Sequence, residues 1–514
     1  MQSTFYITEK QHDNSVLYFY RKPLWSLILH KSKQKLEENS FFSQIASRQA
    51  KACQDYTQFP PAKLRVQPKP ADFRPIMHFK SRIAVTPNMK LSGNNLLAGL
   101  PQILRNSLES QSEILALDYP SIVSRINNFS KIWAEKGSPQ LYFLTMDITK
   151  AFDSVKLPEL REFMKKLKLP PISSYYKYIQ LSPRVSHPPQ GPVASLLKMK
   201  FKKQAVNEGE FPLFQDMPLQ PNSINILTSK TLINTTTKIR VIEKVLQANV
   251  IKFNRQYFKG ERGVPQGLSC SPLLSNLYFS ELENQVDTKI RAEFPHDLLF
   301  MVRLHDDYLM LSDNQSVLEA LLTEMLELAK KEKFSFGKDK ITSNIDAPWI
   351  KNKAENIEGW IGLDISQGLS VVPHVSEKAS QIISSDFLSG KETLADLKNK
   401  LVKMTNVTIN LLRNRASASE DELETALEKL MRLQAHRYLY FLKFYQKFYK
   451  KIHSVKRIGK IIVRVLKYSA QLAPKISNFL VVSLQQFEDV FRKSSLHPVS
   501  RMLEKYLKNL QISE

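Results

Sequence analysis

The 514-residue sequence predicts an α+β fold built from several packed units. Two apolar, β-favouring blocks, 141–155 and 298–312, carry aspartates at the points where strands are expected to end. Beyond about Pro373 the pattern becomes helical and basic and glycine almost disappears, which indicates a separate all-α unit. A chain of this length exceeds one ordinary core, so two to four packed units are expected.

The charge balance narrows the class of binding partner. The chain has 74 lysines and arginines against 49 aspartates and glutamates, a net charge of +25 that is spread along its length. Such a field attracts polyanions, so nucleic acid is the leading candidate. An anionic membrane surface and a merely soluble basic protein are the alternatives.

Membrane insertion and disulfide scaffolding are not predicted. No run approaches the roughly 18 apolar residues that a membrane span needs, and the first ten residues lack the pattern of a secretory signal. The two cysteines, Cys53 and Cys270, are too few for a disulfide framework or a zinc cluster. We therefore expect an intracellular protein without a membrane partner.

A β-hairpin followed by a helix is predicted at the start of the chain. Apolar runs at 5–7 and 16–20 flank a polar loop at 12–14. Pro23 then suits the first turn of a helix that carries Trp25.

The middle of the chain alternates between mixed and helical patterns. A mixed segment at 64–81 is followed by helical patterning around Leu100. The stretch from about 157 to 250 separates two strongly patterned blocks and contains a proline-rich loop, 183–192, and a basic run, 198–203. This stretch is interpreted as an insertion.

The first block with chemical potential is LYFLTMDITKAFDSV, at 141–155. Its apolar run brings Asp147 to the end of a buried strand, where the carboxylate emerges at the sheet edge. A single aspartate in this position is also typical of a helix N-cap or a turn.

The second block, LLFMVRLHDDYLMLS at 298–312, predicts a strand, a tight turn carrying Asp306 and Asp307, and a returning strand. Two adjacent carboxylates between apolar strands repel each other unless a cation neutralises them. Together with Asp147 they could hold two Mg²⁺ ions about 4 Å apart, the signature of a nucleotide polymerase. An ordinary surface hairpin is the alternative.

A glycine-bracketed loop lies between the two aspartate blocks, in GERGVPQGLSCSPLLSNLYFSELE at 260–283. Gly263 and Gly267 flank Val-Pro-Gln, so a substrate can approach the backbone closely before a helix begins at Ser271. The loop is weak evidence by itself, and its position between the aspartate blocks gives it weight.

The order of Asp147, Gln266 and then Asp306 with Asp307 resembles the reverse transcriptases, and the resemblance extends to at least Ser366. It implies a right-hand fold with fingers, a palm with an antiparallel sheet and a mostly α-helical thumb. It also implies RNA-directed DNA synthesis on an RNA–DNA hybrid recognised by its backbone. The alternatives are a retroelement or intron-type enzyme and a catalytically inactive RNA-binding scaffold.

The resemblance also implies which residues contact the incoming nucleotide. The block LRVQPKPADFRPIMHF, 64–79, is similar to the triphosphate grip, so Lys69 and Arg74 are the expected phosphate ligands. Gln266 and Gly267 would line the nascent base pair. The two cations could instead be solvated surface charges.

Three further roles are implied by the same resemblance. Phe152 would exclude the ribose 2′-hydroxyl, with core packing as the alternative. FGKDKITSN, 336–344, makes Lys340 a candidate general acid for pyrophosphate, or else a surface lysine. GWIGLDIS, 359–366, resembles the primer grip. Its expected primer contacts are Trp360, Gly362 and Leu363.

Two features single out the telomerase group among the reverse transcriptases. The segment 5–25 resembles a telomerase-specific motif that links the RNA-binding domain to the fingers. The 113 residues that separate Asp153 from Gln266 leave room for the insertion that telomerases carry in the fingers and palm. The chain begins almost at the motif, so the sequence predicts a shortened, nematode-like form.

Two positions differ from the usual telomerase pattern. His305 replaces the small apolar residue that normally precedes the aspartate pair, and it is predicted to pack beneath the primer terminus or to perturb metal binding weakly. Phe152 stands where telomerases often have tyrosine, which is a conservative change for a steric gate.

A basic and aromatic cluster is predicted in the thumb. Cations alternate with apolar side chains, so that one helix face is buried and the other follows phosphates. A nuclear import signal and a solvated face are the alternatives. The cluster consists of Lys443, Phe444, Tyr445, Lys447, Phe448, Tyr449, Lys450, Lys451, Ile452, Lys456, Arg457, Lys460, Ile462, Arg464 and Lys467.

The complete prediction is a polymerase that extends chromosome 3′ ends in the nucleus. Its partners would be a telomerase RNA template, a telomeric single-stranded DNA primer and deoxynucleoside triphosphates. The predicted domains are 1–63 for the motif and a remnant of the RNA-binding domain, 64–135 for the fingers, 136–372 for the palm and 373–514 for the thumb.

Overall fold

The structure is a computed structural model that describes most of the chain. The described residues are 4–10, 13–38, 42–57, 59, 61–69, 73–79, 81–86, 89–183, 197–207, 224–345, 350, 352–369, 371–373, 420–449, 455–472, 478–494 and 497–511. Two predicted segments lie partly outside these ranges. They are residues 184–192 of the proline-rich loop and residues 450–452 of the thumb cluster.

All the strands of the described chain lie between Phe5 and Pro373. They are β1 (Phe5–Lys10), β2 (Asp13–Arg21), β3 (Phe42–Ile45), β4 (Ala62–Pro68), β5 (Phe73–His78), β6 (Arg82–Thr86), β7 (Met89–Ser92), β8 (Leu115–Ala116), β9 (Tyr142–Thr149), β10 (Ile172–Pro183), β11 (Leu197–Asn207), β12 (Ile224–Asn234), β13 (Val250–Phe253), β14 (Gln256–Gly260), β15 (Leu299–Leu304), β16 (Asp307–Ser312), β17 (Ser335–Phe336), β18 (Thr342–Ser343), β19 (Asn352–Lys353), β20 (Ile357–Trp360), β21 (Leu363–Ile365) and β22 (Val371–Pro373).

Helices flank the sheets and form the whole described C-terminal part. They are α1 (Lys22–Glu38), α2 (Ser47–Thr57), α3 (Gly93–Leu96), α4 (Leu100–Gln111), α5 (Tyr119–Glu135), α6 (Ala151–Ser154), α7 (Leu157–Lys166), α8 (Thr235–Gln247), α9 (Ser271–Glu293), α10 (Gln315–Glu332), α11 (Glu420–Tyr449), α12 (Val455–Leu472), α13 (Phe479–Arg492) and α14 (His497–Gln511). A single 3₁₀ turn covers Lys338–Lys340.

The predicted N-terminal hairpin and helix are confirmed. β1 and β2 pair antiparallel and α1 follows directly. The ring of Tyr6 stacks on Trp25 with centroids 4.0 Å apart, and Tyr20 packs against the same indole at 5.3 Å. Burial of Trp25 between hairpin and helix therefore holds the two elements together.

The central sheet has seven strands in the order β19-β18-β9-β16-β15-β8, with β17 paired to one end of β9. Side chains alternate between its faces, as expected for strands buried on both sides. Met310 and Tyr308 pack towards α9 and α10 in the main core, whereas Leu309 and Leu311 pack on the opposite face. The second core is completed by α5 and the β20-β21-β22 sheet.

A five-stranded sheet in the order β3-β14-β13-β4-β5 shares the main core with the central sheet. β13 pairs in parallel with β4, while the other pairs are antiparallel. The chain therefore leaves this sheet after β5 and returns to it at β13, on either side of the first aspartate block.

The predicted insertion contains a three-stranded antiparallel sheet in the order β11-β10-β12. The flanking helices behave differently from this sheet. Leu160 of α7 and Ile242 of α8 lie in the main core. Within residues 157–250, the side chains that join the main core therefore come mainly from α7 and α8, at the two ends of this segment.

The four C-terminal helices, α11 to α14, share a core of their own. Tyr438 of α11 packs edge-on against Phe487 of α13 at 5.0 Å, and both rings are fully buried. The all-α unit predicted beyond Pro373 is confirmed for the described residues. Among all the described residues, no helix combines the length and apolarity needed to cross a bilayer.

Candidate active site

The predicted aspartate hairpin is present and faces the end of β9. Leu304 pairs with Asp307, so His305 and Asp306 form a two-residue turn between β15 and β16. Asp307 lies directly opposite Asp147 across the antiparallel β16–β9 pair. The backbone N–H of Ile148 donates to the carbonyl of Asp306 at 2.9 Å, which fixes the turn against β9. Three aspartates from two parts of the sequence therefore occupy neighbouring backbone positions at one end of the sheet.

His305 has a conformational role that the sequence did not suggest. Its φ of 59° provides the positive angle that tight hairpin turns require, and histidine tolerates this region better than β-branched residues do. The side chain is exposed rather than packed within a core. Partial loss of hydration at the turn lowers the pKa of His305, although the charge of Asp306 opposes that change.

Burial and mutual repulsion disfavour ionisation of the aspartate pair. Burial and, to a lesser extent, the charges of Asp306 and Asp147 together raise the pKa of Asp307 to about 7. The pKa of Asp306 is raised by burial and by Asp147. A cation at this position would relieve both effects.

Lys340 provides one positive charge at this cluster. Its Nζ lies 2.7 Å from Oδ2 of Asp147, and the lysine side chain is 64% exposed whereas that of Asp147 is 13% exposed. Gly337 places the lysine there, because its N–H donates to the carbonyl of Asp147 at 3.0 Å and starts the 3₁₀ turn. Burial alone would lower the pKa of Lys340, but the hydrogen bond and charge of Asp147 raise it.

The aspartates have the chemistry of a divalent-cation site, since hard oxygen ligands suit Mg²⁺. In the described part of the chain, however, no three His, Cys, Asp or Glu side chains already converge as a metal cage. The ammonium of Lys340 is hydrogen-bonded to the Asp147 carboxylate. Because the three aspartates offer oxygen ligands and negative charge, they fit a divalent cation in donor type and in charge.

A second group of predicted residues meets beside the aspartates. Nε of Arg74 donates to Oε1 of Gln266 at 3.1 Å, and Nε2 of Gln266 donates to Oδ1 of Asp153 at 3.4 Å. Burial raises the pKa of Asp153, although Gln266 and the charges of Lys150, Arg74 and Lys69 oppose that rise. Lys69 and Arg74 therefore lie close enough for their charges to act on Asp153.

The Pro-Gln-Gly loop is bound tightly to β5. The N–H of Met77 donates to the carbonyl of Gln266 at 2.7 Å. Gly267 has a φ of +122°, and a Cβ there would lie 2.0 Å from the carbonyl oxygen of Met77. Asn94 of α3 is hydrogen-bonded to the loop at two points. Its side chain donates to the carbonyl of Gly267 at 3.1 Å and accepts from the N–H of Ser269 at 2.9 Å. The close neighbour of Gly267 is therefore the protein's own backbone, and the predicted approach of a substrate to this loop stays a prediction.

The start of the loop is bound to the segment that follows β9. The N–H of Val264 donates to the carbonyl of Phe152 at 2.9 Å, and that of Gly263 donates to Val155 at the same distance. A Cβ on Gly263 would lie 2.8 Å from the carbonyl oxygen of Phe152. The Phe152 side chain is partly buried against the main core. These contacts connect the two predicted nucleotide-binding segments.

Comparisons with known proteins agree with this geometry. The reverse transcriptase (RNA-dependent DNA polymerase) family matches residues 224–358, a range that includes Gln266, Asp306, Asp307 and Lys340 but not Asp147. Telomerase reverse transcriptase from Euplotes aediculatus is 26% identical over 514 aligned residues, covering 91% of this chain and 49% of the relative. The Tetrahymena thermophila telomerase reverse transcriptase is 27% identical over 432 aligned residues, covering 74% of this chain and 38% of the relative.

The chain is similar in sequence to the telomerase reverse transcriptases. It spans about half the length of the Euplotes relative and less of the Tetrahymena one. The Candida albicans telomerase solved with a TWJ fragment of telomeric RNA has a TM-score of 0.63 at 17% identity, covering 98% of this chain and 74% of that chain. The Candida tropicalis telomerase solved with a TWJ fragment has a TM-score of 0.52 at 17% identity, covering 99% and 71%. These likenesses confirm the predicted right-hand α+β fold.

The segment predicted as the telomerase primer grip is a hairpin whose side chains largely face the protein. Trp360 and Leu363 pair across β20 and β21 and are 7% and 2% exposed within the second core. Gly362 lies at the exposed tip with a φ of +81°. Ile361 also belongs to the tip, and its carbonyl accepts from the Tyr119 hydroxyl at 2.7 Å. A primer contact made by this hairpin would therefore come from its tip, and the assignment stays a prediction.

The telomerase-like site includes four residues that sequence reasoning did not assign to it. No neighbouring sequence pattern marks Asp153 or Tyr119 as site residues, because each is hydrogen-bonded to a partner more than 100 positions away. Arg303 had a signal, since it is a charge within an apolar strand. Its buried partner is Glu283 of α9, whose side chain is 1% exposed.

Proposed function

We propose that this chain is an RNA-directed DNA polymerase that extends chromosome 3′ ends with telomeric repeats by copying an associated RNA. The observation that carries the proposal is the opposition of Asp147 and Asp307 across β9 and β16, with Asp306 in the adjoining turn. The telomerase reverse transcriptase relatives support the choice of template and product.

The proposed reaction joins the primer 3′-oxygen to the α-phosphorus of a deoxynucleoside triphosphate. The bond between the α-phosphorus and the bridging oxygen breaks, and pyrophosphate leaves. Asp147, Asp306 and Asp307 would hold two Mg²⁺ ions, which when bound supply positive charge for the attacking oxygen and the triphosphate. The carboxylates themselves fix where that positive charge is concentrated.

Nucleotide binding is assigned to the pocket around Gln266. Lys69 and Arg74 would bind the triphosphate, with the guanidinium held by its hydrogen bond to Gln266. Phe152, whose backbone is bonded to the same loop, would exclude a ribose 2′-hydroxyl. Gly267 lets the loop approach β5 closely, which would fix the position of Gln266 beside Arg74.

Lys340 is proposed as the general acid. Its ammonium group lies at Asp147, so it is within reach of the carboxylate cluster at which the triphosphate would bind. Transfer of a proton from Nζ to the departing pyrophosphate would neutralise the charge that develops on the leaving oxygen. An ion pair with Asp147 keeps the amine protonated between turnovers.

The partners follow from this proposal. They are a telomerase RNA template, a telomeric single-stranded DNA primer and deoxynucleoside triphosphates, and the chain would act in the nucleus at chromosome ends. The net charge of +25 supports nucleic-acid binding. The limits of the fingers, palm and thumb, given above as 64–135, 136–372 and 373–514, remain predictions, as does a phosphate-tracking role for the thumb cluster.

Primer extension by the purified chain with Mg²⁺ and deoxynucleotides tests the proposal. A generic RNA template and RNA that co-purifies from the native cell are compared. Periodic products that depend on the co-purified RNA are expected. Extension on the generic template alone would favour a retroelement or intron-type enzyme, and hybrid binding without extension in both reactions would favour an inactive scaffold.

A further inference from the structure

The residues on either side of the aspartate pair are bonded to one buried ion pair. The carbonyl of His305 accepts from Nη1 of Arg303 at 2.6 Å, and the hydroxyl of Tyr308 donates to Oε1 of Glu283. Nε of Arg303 donates to the same carboxylate oxygen. The Arg303 and Glu283 side chains are 0% and 1% exposed. The ion pair is thus hydrogen-bonded to the residue before the Asp306–Asp307 dipeptide and to the residue after it.

The remaining donors of Arg303 are directed at α9. Nη1 donates to Oδ1 of Asn276 at 2.8 Å, while Nη2 lies 3.2 Å from the Asn276 carbonyl, 3.1 Å from Oγ of Ser280 and 3.3 Å from Oε2 of Glu283. All five N–H groups of the guanidinium therefore have acceptors. Because these acceptors point in fixed directions, the guanidinium plane has a single orientation relative to the helix.

Core stability does not account for this arrangement. Two charges removed from water lose solvation that their attraction often fails to recover, and well-packed apolar side chains can replace such a pair without loss of stability. The rings of Phe279 and Tyr308 lie 5.9 and 5.7 Å from the guanidinium, so the ion pair already has apolar neighbours. The guanidinium adds directional bonds to the turn, which an apolar side chain cannot make.

We propose that Glu283 and Arg303 are positioning residues that set the place of the catalytic turn relative to α9. This inference rests on the proposed function. The two side chains have no direct contact with Asp306 or Asp307 and act through the His305 carbonyl and the Tyr308 hydroxyl. Since a misplacement of about 1 Å can cost about 100-fold in rate, loss of these bonds should lower kcat and leave nucleotide binding largely intact.

Two tyrosines provide a matched comparison. Tyr308 and Tyr278 are both fully buried, and each donates to a buried carboxylate, Glu283 for the first and Glu332 at 3.2 Å for the second. Tyr308→Phe should lower kcat for single-nucleotide addition about fivefold or more, by the same positional argument. The KM for nucleotide and the Kd for hybrid should stay within about twofold of wild type, and Tyr278→Phe should change none of the three.

Replacement of the whole ion pair gives a stronger test. Arg303→Met with Glu283→Leu removes both charges together and should lower kcat about 100-fold at unchanged KM. The control is Lys156→Met with Glu332→Leu, because that pair is bonded at 2.7 Å and belongs to another part of the main core. Tyr308→Phe keeps the Arg303–Glu283 pair, so it decides the question even where the double variant does not fold.

Hydrogen exchange gives a readout that needs no activity. The N–H of Ile148 is bonded to the Asp306 carbonyl, so it reports whether the turn stays against β9. Faster exchange of this amide in Tyr308→Phe than in Tyr278→Phe, together with the fall in kcat, is the expected result. Unchanged exchange and unchanged kcat in Tyr308→Phe would overturn the inference, as would equal losses in the two tyrosine variants. An inactive wild type whose Ile148 amide exchanges faster only in Tyr308→Phe would contradict the proposed function but support the positioning role.

Discussion

Asp147 and Asp307 face each other as a cross-strand pair, and this pair makes the site electrostatically unfavourable in the absence of a cation. Burial is the largest cause of the raised pKa of Asp307, and the charges of Asp306 and Asp147 add to it. The concentration of negative charge at the candidate site thus lowers the stability of the metal-free fold.

Asp307→Asn should therefore stabilise the metal-free protein while abolishing extension. The folded-state pKa of about 7 exceeds the unfolded value of about 3.9, so the ionised carboxylate destabilises the fold above pH 7. The gain in unfolding free energy should be on the order of 1–3 kcal/mol at pH 8 and should shrink as pH falls from 7 towards 4. Thermal unfolding in EDTA measures it, and a loss of stability at pH 8 would contradict the pKa argument.

Extension should be lost in Asp147→Ala and Asp306→Ala while the fold and hybrid binding persist. These carboxylates are proposed to hold the cations that the reaction needs, and they contribute little to either core. Primer extension, circular dichroism and hybrid affinity are measured together. Retained extension in either variant would overturn the metal assignment.

Lys340→Met should reduce kcat by about 10²- to 10⁴-fold if the lysine protonates pyrophosphate. Lys340→Arg should keep nucleotide affinity but not the rate, because a guanidinium retains its proton. Rapid-quench measurement of single-nucleotide addition separates the two quantities. Lys331→Met, an exposed change in the last turn of α10, is the control. A Lys340→Met enzyme with wild-type kcat would favour the surface-lysine interpretation.

Gly267→Ala should displace the Pro-Gln-Gly loop from β5. The added Cβ would lie 2.0 Å from the Met77 carbonyl oxygen, and the φ of +122° is strained for alanine. The nucleotide KM should rise by about tenfold or more as the Gln266 pocket opens. Gly137→Ala is the control, since Gly137 has a φ of +81° with nothing within 4 Å of the added Cβ. Equal effects of the two changes would mean that backbone strain alone is responsible.

Cys270 should resist alkylation in the folded protein, unlike Cys53. Burial raises the pKa of the Cys270 thiol to about 12, so at pH 8 the reactive thiolate is scarcely populated. Cys53 is partly exposed. Mass spectrometry after iodoacetamide treatment should find label on Cys53 alone, and on both thiols in guanidinium. Comparable labelling of the two in the folded state would contradict the burial of Cys270.

Local patterns were sufficient for the elements that surround the site. The apolar alternation and the two adjacent aspartates predicted the β15–β16 hairpin, and Pro23 predicted the start of α1. The glycines that bracket the loop predicted a close approach to its backbone, which was expected from a substrate. Each of these features depends on residues near one another in the chain.

Long-range pairing was not visible in the same way. The partner of Arg303 lies 20 positions away on another element, and that of Asp153 lies 113 positions away. His305 was interpreted as a departure from the family pattern, whereas the structure gives it the positive φ of the turn. Trp360 and Leu363 were assigned to primer contact, but their side chains lie in a core that several distant segments build together.

The sequence by itself predicted the class of fold and the three carboxylates, because strand alternation, turn chemistry and charge are properties of neighbouring residues. The resemblance to reverse transcriptases added the residues that are proposed to bind the nucleotide. Only the tertiary structure decided how those parts are held: Asp147 opposite Asp307, Gln266 between Arg74 and Asp153, and one buried ion pair beneath the turn. The physical reason is that hydrogen bonds and desolvation depend on distances between atoms, and folding sets those distances for residues far apart in the chain.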